Sequence, residues 1–345
     1  MQLQCPLPKF DFEVITLGHG SGGLLTHQLL QSGVFDVLKN ELLDQQHDGA
    51  SFILNGPVAF STDSYVITPA FFPGGNIGEL AINGTVNDLA MCGAIPTYLS
   101  LAFIIEEGLT MEEFWKMLVS IKDAANKANV KIVTGDTKVV EKGKGDKIFI
   151  NTSGIGAIHP KANIHHKNIE PGDQVIISGN VATHGMAIMS VRKGLEFETT
   201  IESDTVNLNH TIKKLLDQFG HSIKFLRDPT RGGVASVLNE VAELAALGFE
   251  LDQKKIPVDE QVEGACEMLG LDPLYVANEG LFIAVVKKEM AAEFLAALRQ
   301  DENGVNAAII GEATAEHPGK VLMKSRIGGR RVVNYLTGEQ LPRIC

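Results

Sequence analysis

Four aspartates stand in short polar strings at the ends of apolar runs: Asp63 in Ser-Thr-Asp-Ser-Tyr, Asp88 in Val-Asn-Asp-Leu-Ala, Asp136 in Thr-Gly-Asp-Thr-Lys and Asp228 in Arg-Asp-Pro-Thr-Arg. Hard carboxylate oxygens grouped at strand ends hold Mg2+, an ion that keeps part of its water and bridges substrate phosphates. Taken singly, each aspartate fits a turn or a helix cap. The neighbours favour chemistry. Lys138 lies two residues past Asp136, so both face one way if the strand continues, and Arg231 follows Asp228 where a helix begins. Gly18-His19-Gly20-Ser21-Gly22-Gly23 runs straight into an apolar helix at Leu24. Such glycines let backbone amides wrap an anion, and the helix start adds free N–H groups and a positive dipole end. The loop has neither the Gly-Lys-Ser/Thr of a nucleotide P-loop nor the preceding strand of a dinucleotide fingerprint, so a flexible turn stands as its alternative. Metal-binding carboxylates, cations and a glycine loop are together the parts of a phosphoryl-transfer site. Glu279, in Asn278-Glu279-Gly280 before an apolar strand, is a base if it lies near that site and a solvated turn residue otherwise. Asn87 and Asn151 are hydrogen-bonding candidates on the same footing, with structural roles as the alternative.

The last residue written is Cys345, where a thiol and a carboxylate share one residue and little backbone can fold over them. A prenylation box would need its cysteine four residues from the end. From Gly319 onward the basic residues are Lys320, Lys324, Arg326, Arg330, Arg331 and Arg343, against Glu339 as the one acid, while the whole chain carries −12. A basic, reactive arm is therefore expected on an acidic body.

Elements that could position these groups are legible in the pattern. At 345 residues and 44% hydrophobic the chain is long enough for two domains, and its acidic balance argues against nucleic acid as a main partner. The apolar stretches are too short for a membrane span. The start, Met1-Gln2-Leu3-Gln4-Cys5-Pro6, has no export-signal pattern, and four scattered cysteines suggest free thiols, so a cytoplasmic home is expected. Residues 1–50 read as a lead holding the glycine loop and a helix near Leu24 to Leu43. From 51 to 158 strands (Val58 to Val66, Tyr98 to Ile105, Lys131 to Thr134, Ile148 to Ile158) alternate with helices (Ile77 to Cys92, Met111 to Asn129). Polar residues 159–173 open a second unit, to 318, with strands near 174, 281 and 307 and helices from 184, 207, 232 and 290; residues 319–345 read as a flexible tail. Two mixed α/β units are expected.

At this point the strings resemble a known family. Gly84-Thr-Val-Asn-Asp-Leu-Ala-Met-Cys-Gly-Ala-Ile-Pro96, Gly135-Asp-Thr-Lys-Val-Val140, Asp228-Pro-Thr-Arg-Gly-Gly-Val234, Asn278-Glu-Gly280 and the terminal Pro-Arg-Ile-Cys are similar to the HypE family of [NiFe]-hydrogenase maturation factors, over nearly the whole chain. The aspartate and Asn-Asp motifs are shared with the wider PurM-like superfamily; the terminal motif separates HypE from it. The resemblance implies a PurM-like α/β fold of two domains, with first domains pairing into a homodimer barrel. It further implies that Cys345 receives a carbamoyl group from HypF, that ATP drives its dehydration to a thiocyanate, and that HypC–HypD takes the product as cyanide. In those terms His19, Gly20, Ser21, Gly22, Gly23, Asn87, Asn151 and Arg231 would bind ATP, and Asp63, Asp88, Asp136 and Asp228 would hold magnesium. Lys138 would stabilise charge on the transferring group, Glu279 would take a proton, and the basic tail would dock over the nucleotide mouth. Two rivals stay open: another PurM-like synthetase of the selenophosphate or purine type, and a non-catalytic thiol carrier.

Overall fold

The computed structural model describes residues 12–45, 49–194, 200–336 and Ile344. After the glycine loop the chain winds through α1 (Leu24–Leu29), a wider π-type stretch (Leu30–Phe35) and α2 (Asp36–Leu38), so the single expected helix is real but irregular. The first domain is a four-stranded sheet of β1 (Val58–Tyr65), β4 (Ala94–Glu106), β5 (Lys131–Val140) and β6 (Ile148–Ile158), in the order β1-β6-β4-β5. A two-stranded ribbon, β2 (Phe71–Phe72) with β3 (Gly75–Asn76), leads into α3 (Ile77–Met91), and α4 (Met111–Ala128) follows β4. Both long helices have side-chain caps. Asn76 accepts from the Gly78 and Glu79 N–H groups, Thr110 accepts from Glu113 N–H, and Asn129 ends α4 in the left-handed region.

One face of this sheet is covered and the other is open, as strand alternation demands. Leu99, Leu101, Phe103 and Ile105 of β4 are buried with Ile150 of β6 and with Phe114, Leu118 and Ile121 of α4. On the opposite face Val58, Phe60 and Ile104 are exposed, Phe60 by 69%. Cross-strand register sorts the site candidates between the faces. Ser64, Asn151, Ala102 and Asp136 form one row and share the open face, whereas Asp63, Thr152, Leu101 and Gly135 form the next row and look the other way.

The second domain is a seven-stranded sheet in the order β13-β12-β9-β11-β7-β10-β8. Its strands are β7 (Gln174–Ile177), β8 (Ile223–Arg227), β9 (Gly248–Asp252), β10 (Ile283–Val286), β11 (Ala308–Thr314), β12 (Val321–Lys324) and β13 (Arg330–Val333). Helices α5 (Thr183–Lys193), α6 (Asn209–Phe219), α7 (Gly233–Ala245), α8 (Glu260–Leu269) and α9 (Ala291–Leu298) pack around it. No helix among the described residues is long and apolar enough to cross a membrane.

The expected tail from Gly319 needs correction, because its first half is sheet. β12 pairs parallel with β9 and antiparallel with β13, burying Val321, Met323 and Val333 completely or nearly so. The arginines that read as a docking arm are spent on acids of the same domain: Arg326 on Glu263 at 2.6 Å, Arg331 on Asp272 at 2.5 Å and Arg330 on Glu250 at 3.6 Å. The remainder of the expected tail, apart from Asn334, Tyr335, Leu336 and Ile344, lies outside the described residues. A chain ended after Gly319 loses three buried side chains, each worth roughly 1.5–3 kcal/mol, and is expected to unfold at much lower urea than one ended after Leu336. Urea melts of the two truncations check this, and equal midpoints would return β12 and β13 to the tail.

Candidate active site

Carboxylates from four separate segments converge where the two domains meet. Asp63 projects from β1 toward α3, Asp88 sits on the last turn of α3, Asp228 follows β8, and Glu279 precedes β10. The mutual influence of their charges places them in one field. Burial raises the pKa of Asp88, with nearby Asp63 adding to it, and Ser61 Oγ donates to Asp88 Oδ2 at 2.7 Å in partial compensation. Burial, reinforced by Asp88, pushes Asp228 up to about 7. Glu279, 3% exposed, is driven well above the usual carboxylate range by burial and by the charges of Asp228, Asp204, Asp63 and Asp88.

Asp204 belongs to this group and was not found from the sequence. Burial lifts it to about 6, and its Oδ1 accepts the Glu279 N–H at 3.1 Å. Gly280 makes that contact possible: a Cβ there would lie 1.7 Å from the Asp204 carbonyl oxygen, so no other residue allows the two segments to touch. Arg227, paired with Glu240 at 3.3 Å, is the cation that partly offsets Asp88 and Asp228. Two oxygens, Glu279 Oε1 and Asp204 Oδ2, are buried with no hydrogen-bond partner. Uncompensated buried acids are costly. A cation among these acids would offset the cost, and an all-carboxylate donor set is the one Mg2+ prefers. Among the described residues no three His, Cys, Asp or Glu side chains form a ready cage. That suits magnesium held by one or two carboxylates and completed by substrate phosphates and water.

The structure separates Asp136 from the other three aspartates. It lies on the open face of β5, three strand spacings from β1, or about 14 Å at roughly 4.8 Å per step. One magnesium, with ligands at about 2 Å, cannot join Asp63 and Asp136 of the same chain. As expected, Lys138 shares its face, and its Nζ bonds Asp136 Oδ1 at 2.5 Å, holding that carboxyl below its ordinary pKa. Asp136 and Lys138 instead line a cavity of about 240 Å³ together with Gly20, Gly22, Leu101 and Phe103. The glycine loop and this ion pair therefore form a second cluster, apolar within and polar at its rim.

Within the loop, packing explains more than the sequence did. A Cβ on Gly20 would fall 2.6 Å from Val139 N, so this glycine lets the loop lie against β5. Ser21 Oγ donates to Gly18 O at 2.9 Å, the Gly22 N–H is taken by Thr26 Oγ1 at 3.0 Å, and Gly23 caps α1 with extended backbone. His19 is turned inward, 1% exposed, where its Nδ1 accepts the Thr16 N–H at 2.9 Å and burial lowers its pKa. Asn87 is also occupied. Its amide donates to Val206 O and Glu279 O and accepts the Leu208 N–H at 2.8 Å, tying α3 to the second domain. Asn151 bridges to Asp63 O and Ser64 Oγ on the open face, and Arg231 is exposed just ahead of α7. Cys345 lies outside the described residues.

Comparison with known proteins gives the geometry its context. Residues 47–158 match the model of the N-terminal domain of AIR synthase related proteins, and residues 170–324 that of the C-terminal domain. The carbamoyl dehydratase HypE of Bradyrhizobium diazoefficiens is 48% identical over 332 residues, spanning 96% of each chain. A crystal structure of the hydrogenase maturation protein HypE in complex with ATP superposes with a TM-score of 0.92 at 45% identity, covering 96% of this chain and 99% of that one. HypE in a HypE–HypF complex matches with a TM-score of 0.79 at 46% identity, covering 91% and 100%.

The raised acids set a sign for stability. A carboxyl whose folded pKa lies above its unfolded value binds more protons when folded, so its contribution is complete below about pH 4 and is lost as pH rises through the folded value. For Asp228 that window runs from 3.8 to about 7. In the absence of nucleotide and metal, D228N is expected to melt above the native chain at pH 8 and level with it near pH 4, each recovered kcal/mol giving about 2–4 °C. Thermal melts across that range check it, and a D228N melting point below native at pH 8 would contradict the reading.

Proposed function

The chain belongs to the HypE family of carbamoyl dehydratases, and on that premise we propose that it converts an S-carbamoyl group on Cys345 to a thiocyanate at the expense of ATP. The observation that supports this most is the junction of uncompensated buried carboxylates, which suits a magnesium-bound triphosphate, facing the segment that ends in Glu279. HypF loads the thiol, and the chain passes its product to HypC–HypD, in the cytoplasm. An amide oxygen is a poor leaving group. Transfer of the ATP γ-phosphoryl to that oxygen makes phosphate the departing species, and loss of both nitrogen protons as the C–O bond breaks leaves the nitrile.

The residues divide that work. Asp63, Asp88 and Asp228 would supply the carboxylates for magnesium, one or two to an ion, and the ion would neutralise charge on the triphosphate. Lys138 places a cation on the transferring group. Burial among acids holds the Glu279 pKa well above the usual carboxylate range, and a cation arriving beside it would lower it. The ionised carboxylate that such binding favours would serve as the base. The glycine loop, with Gly20, Ser21, Gly22 and Gly23, clamps phosphate from the β5 side.

Because Asp136 and Lys138 share the open face with exposed Val58, Phe60 and Ile104, the working site is that of a homodimer, in which one copy's β5 edge meets the other copy's acid cluster. A face so apolar is otherwise left to solvent.

Intact mass after incubation with HypF, carbamoyl donor and ATP tests the reaction: one carbamoyl gained on Cys345, then one water lost. In K138A the gain persists while the loss slows by roughly 100-fold, the scale of one charge-stabilising donor; a variant that dehydrates at the native rate removes Lys138 from the chemistry. Mixing D136N and D228N chains tests the shared site. Each alone is inactive, and an equal mixture regains about a quarter of native activity if each mixed dimer holds one intact site built from the two chains; no recovery would place both residues in a site within one chain.

A further inference from the structure

Outside the acid cluster the fold buries a histidine that the mechanism does not use. His184, on the first turn of α5, is wholly buried, with its ring edge on Phe72. Its Nε2 lies 2.9 Å from the Ile344 carbonyl oxygen and its Nδ1 2.7 Å from Ser203 Oγ. A carbonyl can only accept, so the proton sits on Nε2, and Nδ1 accepts from the Ser203 hydroxyl. Burial holds the ring neutral by lowering its pKa to about 4, which leaves it one proton to give.

Both ends of this arrangement reach Glu279. Upstream, Ala182 sits at φ +74, an uncommon conformation for a residue with a Cβ, held by its N–H bonding to Asn278 Oδ1 at 2.7 Å. Gly185 N–H bonds to Ala277 O at 3.0 Å. Downstream, Ser203 Oγ accepts the Thr205 N–H at 3.1 Å, and Asp204 between them accepts the Glu279 N–H. The Ile344 side chain, 1% exposed, joins the core around Ala182, Met186 and Ala277.

We propose that His184 is a positioning residue for dehydration: its Nε2–H donates to the Ile344 carbonyl and holds the residue that precedes Cys345 against the elements bonded to the Glu279 segment. The role rests on the reading of Cys345 as the carbamoyl carrier. One hydrogen bond and one buried isoleucine make a hold that can be undone when the thiol must meet its carbamoyl donor.

The test uses full-length H184F, which fills the space without a donor, and H184Q, which restores an N–H at the same reach. Carbamoyl loading by HypF and the later loss of water are timed separately by intact mass. Expected for H184F is native loading with dehydration slowed roughly tenfold, the scale of one hydrogen bond, and for H184Q recovery of most of that loss. Native dehydration in H184F, or equal loss of both steps, overturns the proposal. Should H184F fail to fold, 15N spectra of the native chain decide: removal of residues 344 and 345 is expected to shift the His184 Nε2–H signal, and an unchanged signal overturns the latch. A native chain that loads but never loses water would sink the dehydratase reading instead, and the spectra would still decide the latch.

Discussion

Negative charge withheld from water at the junction of two domains is the constraint around which this molecule is arranged. Asp88, Asp204, Asp228 and Glu279 come from segments far apart in the chain, and each is held where its ionised form is penalised. Arg227 offsets part of this and the Ser61 hydroxyl a little more, yet two carboxyl oxygens stay without partners. A fold selected for stability alone would fill such a place with apolar side chains, since buried ionisable groups seldom repay their desolvation. Keeping them leaves a site in which an entering cation would relieve the buried charge, so binding and relief of strain would be the same event.

Holding like charges together requires firm neighbours, and the junction supplies them through neutral hydrogen bonds. Asn87 spends its whole amide on the second domain, linking α3 to Val206, Leu208 and the Glu279 carbonyl. Asn278 plays the matching part from the other side, donating to Pro229 O and Val276 O and accepting from Ala182 N–H. These amides carry no charge, so they brace the acids without neutralising them. Both were visible in the sequence as polar residues in the right strings, and what they touch was not, because each partner lies far along the chain.

Much of the first domain could be read directly. Apolar periodicity located α3 and α4, and the alternation in Val58 to Tyr65 located β1, because these elements bury one face against a neighbour nearby in sequence. Failures had a common physical origin in long-range register. Whether Asp136 shares a face with Asp63 depends on pairing across four strands, and the pairing puts Ser64, not Asp63, in the Asp136 row. β12 and β13 were missed for a related reason. β13 is the edge strand of the seven-stranded sheet and β12 lies next to it; exposed Lys324, Arg330 and Arg331 guard that edge, and such charge makes the segment resemble a mobile tail. His184 gave no local signal, since its partner is 160 residues away.

The same correction sharpens how a substrate fixed to the chain can work. Had the arginines from 326 to 331 been free, the tail would be drawn to the acid cluster by long-range charge, and it would compete for those acids with any cation that binds there. Paired instead with Glu263, Glu250 and Asp272, they leave the cluster's field to the cation and anchor the root of the arm to the second domain. What holds Ile344 is short-ranged: one apolar side chain in a core and one carbonyl accepting from a neutral imidazole. Forces of that kind act only on contact and are weakly screened by salt, so docking selects position rather than charge. A carrier that must be loaded elsewhere and unloaded again benefits from that, because a modest local hold leaves the outward state within thermal reach while still fixing the sulfur when it arrives.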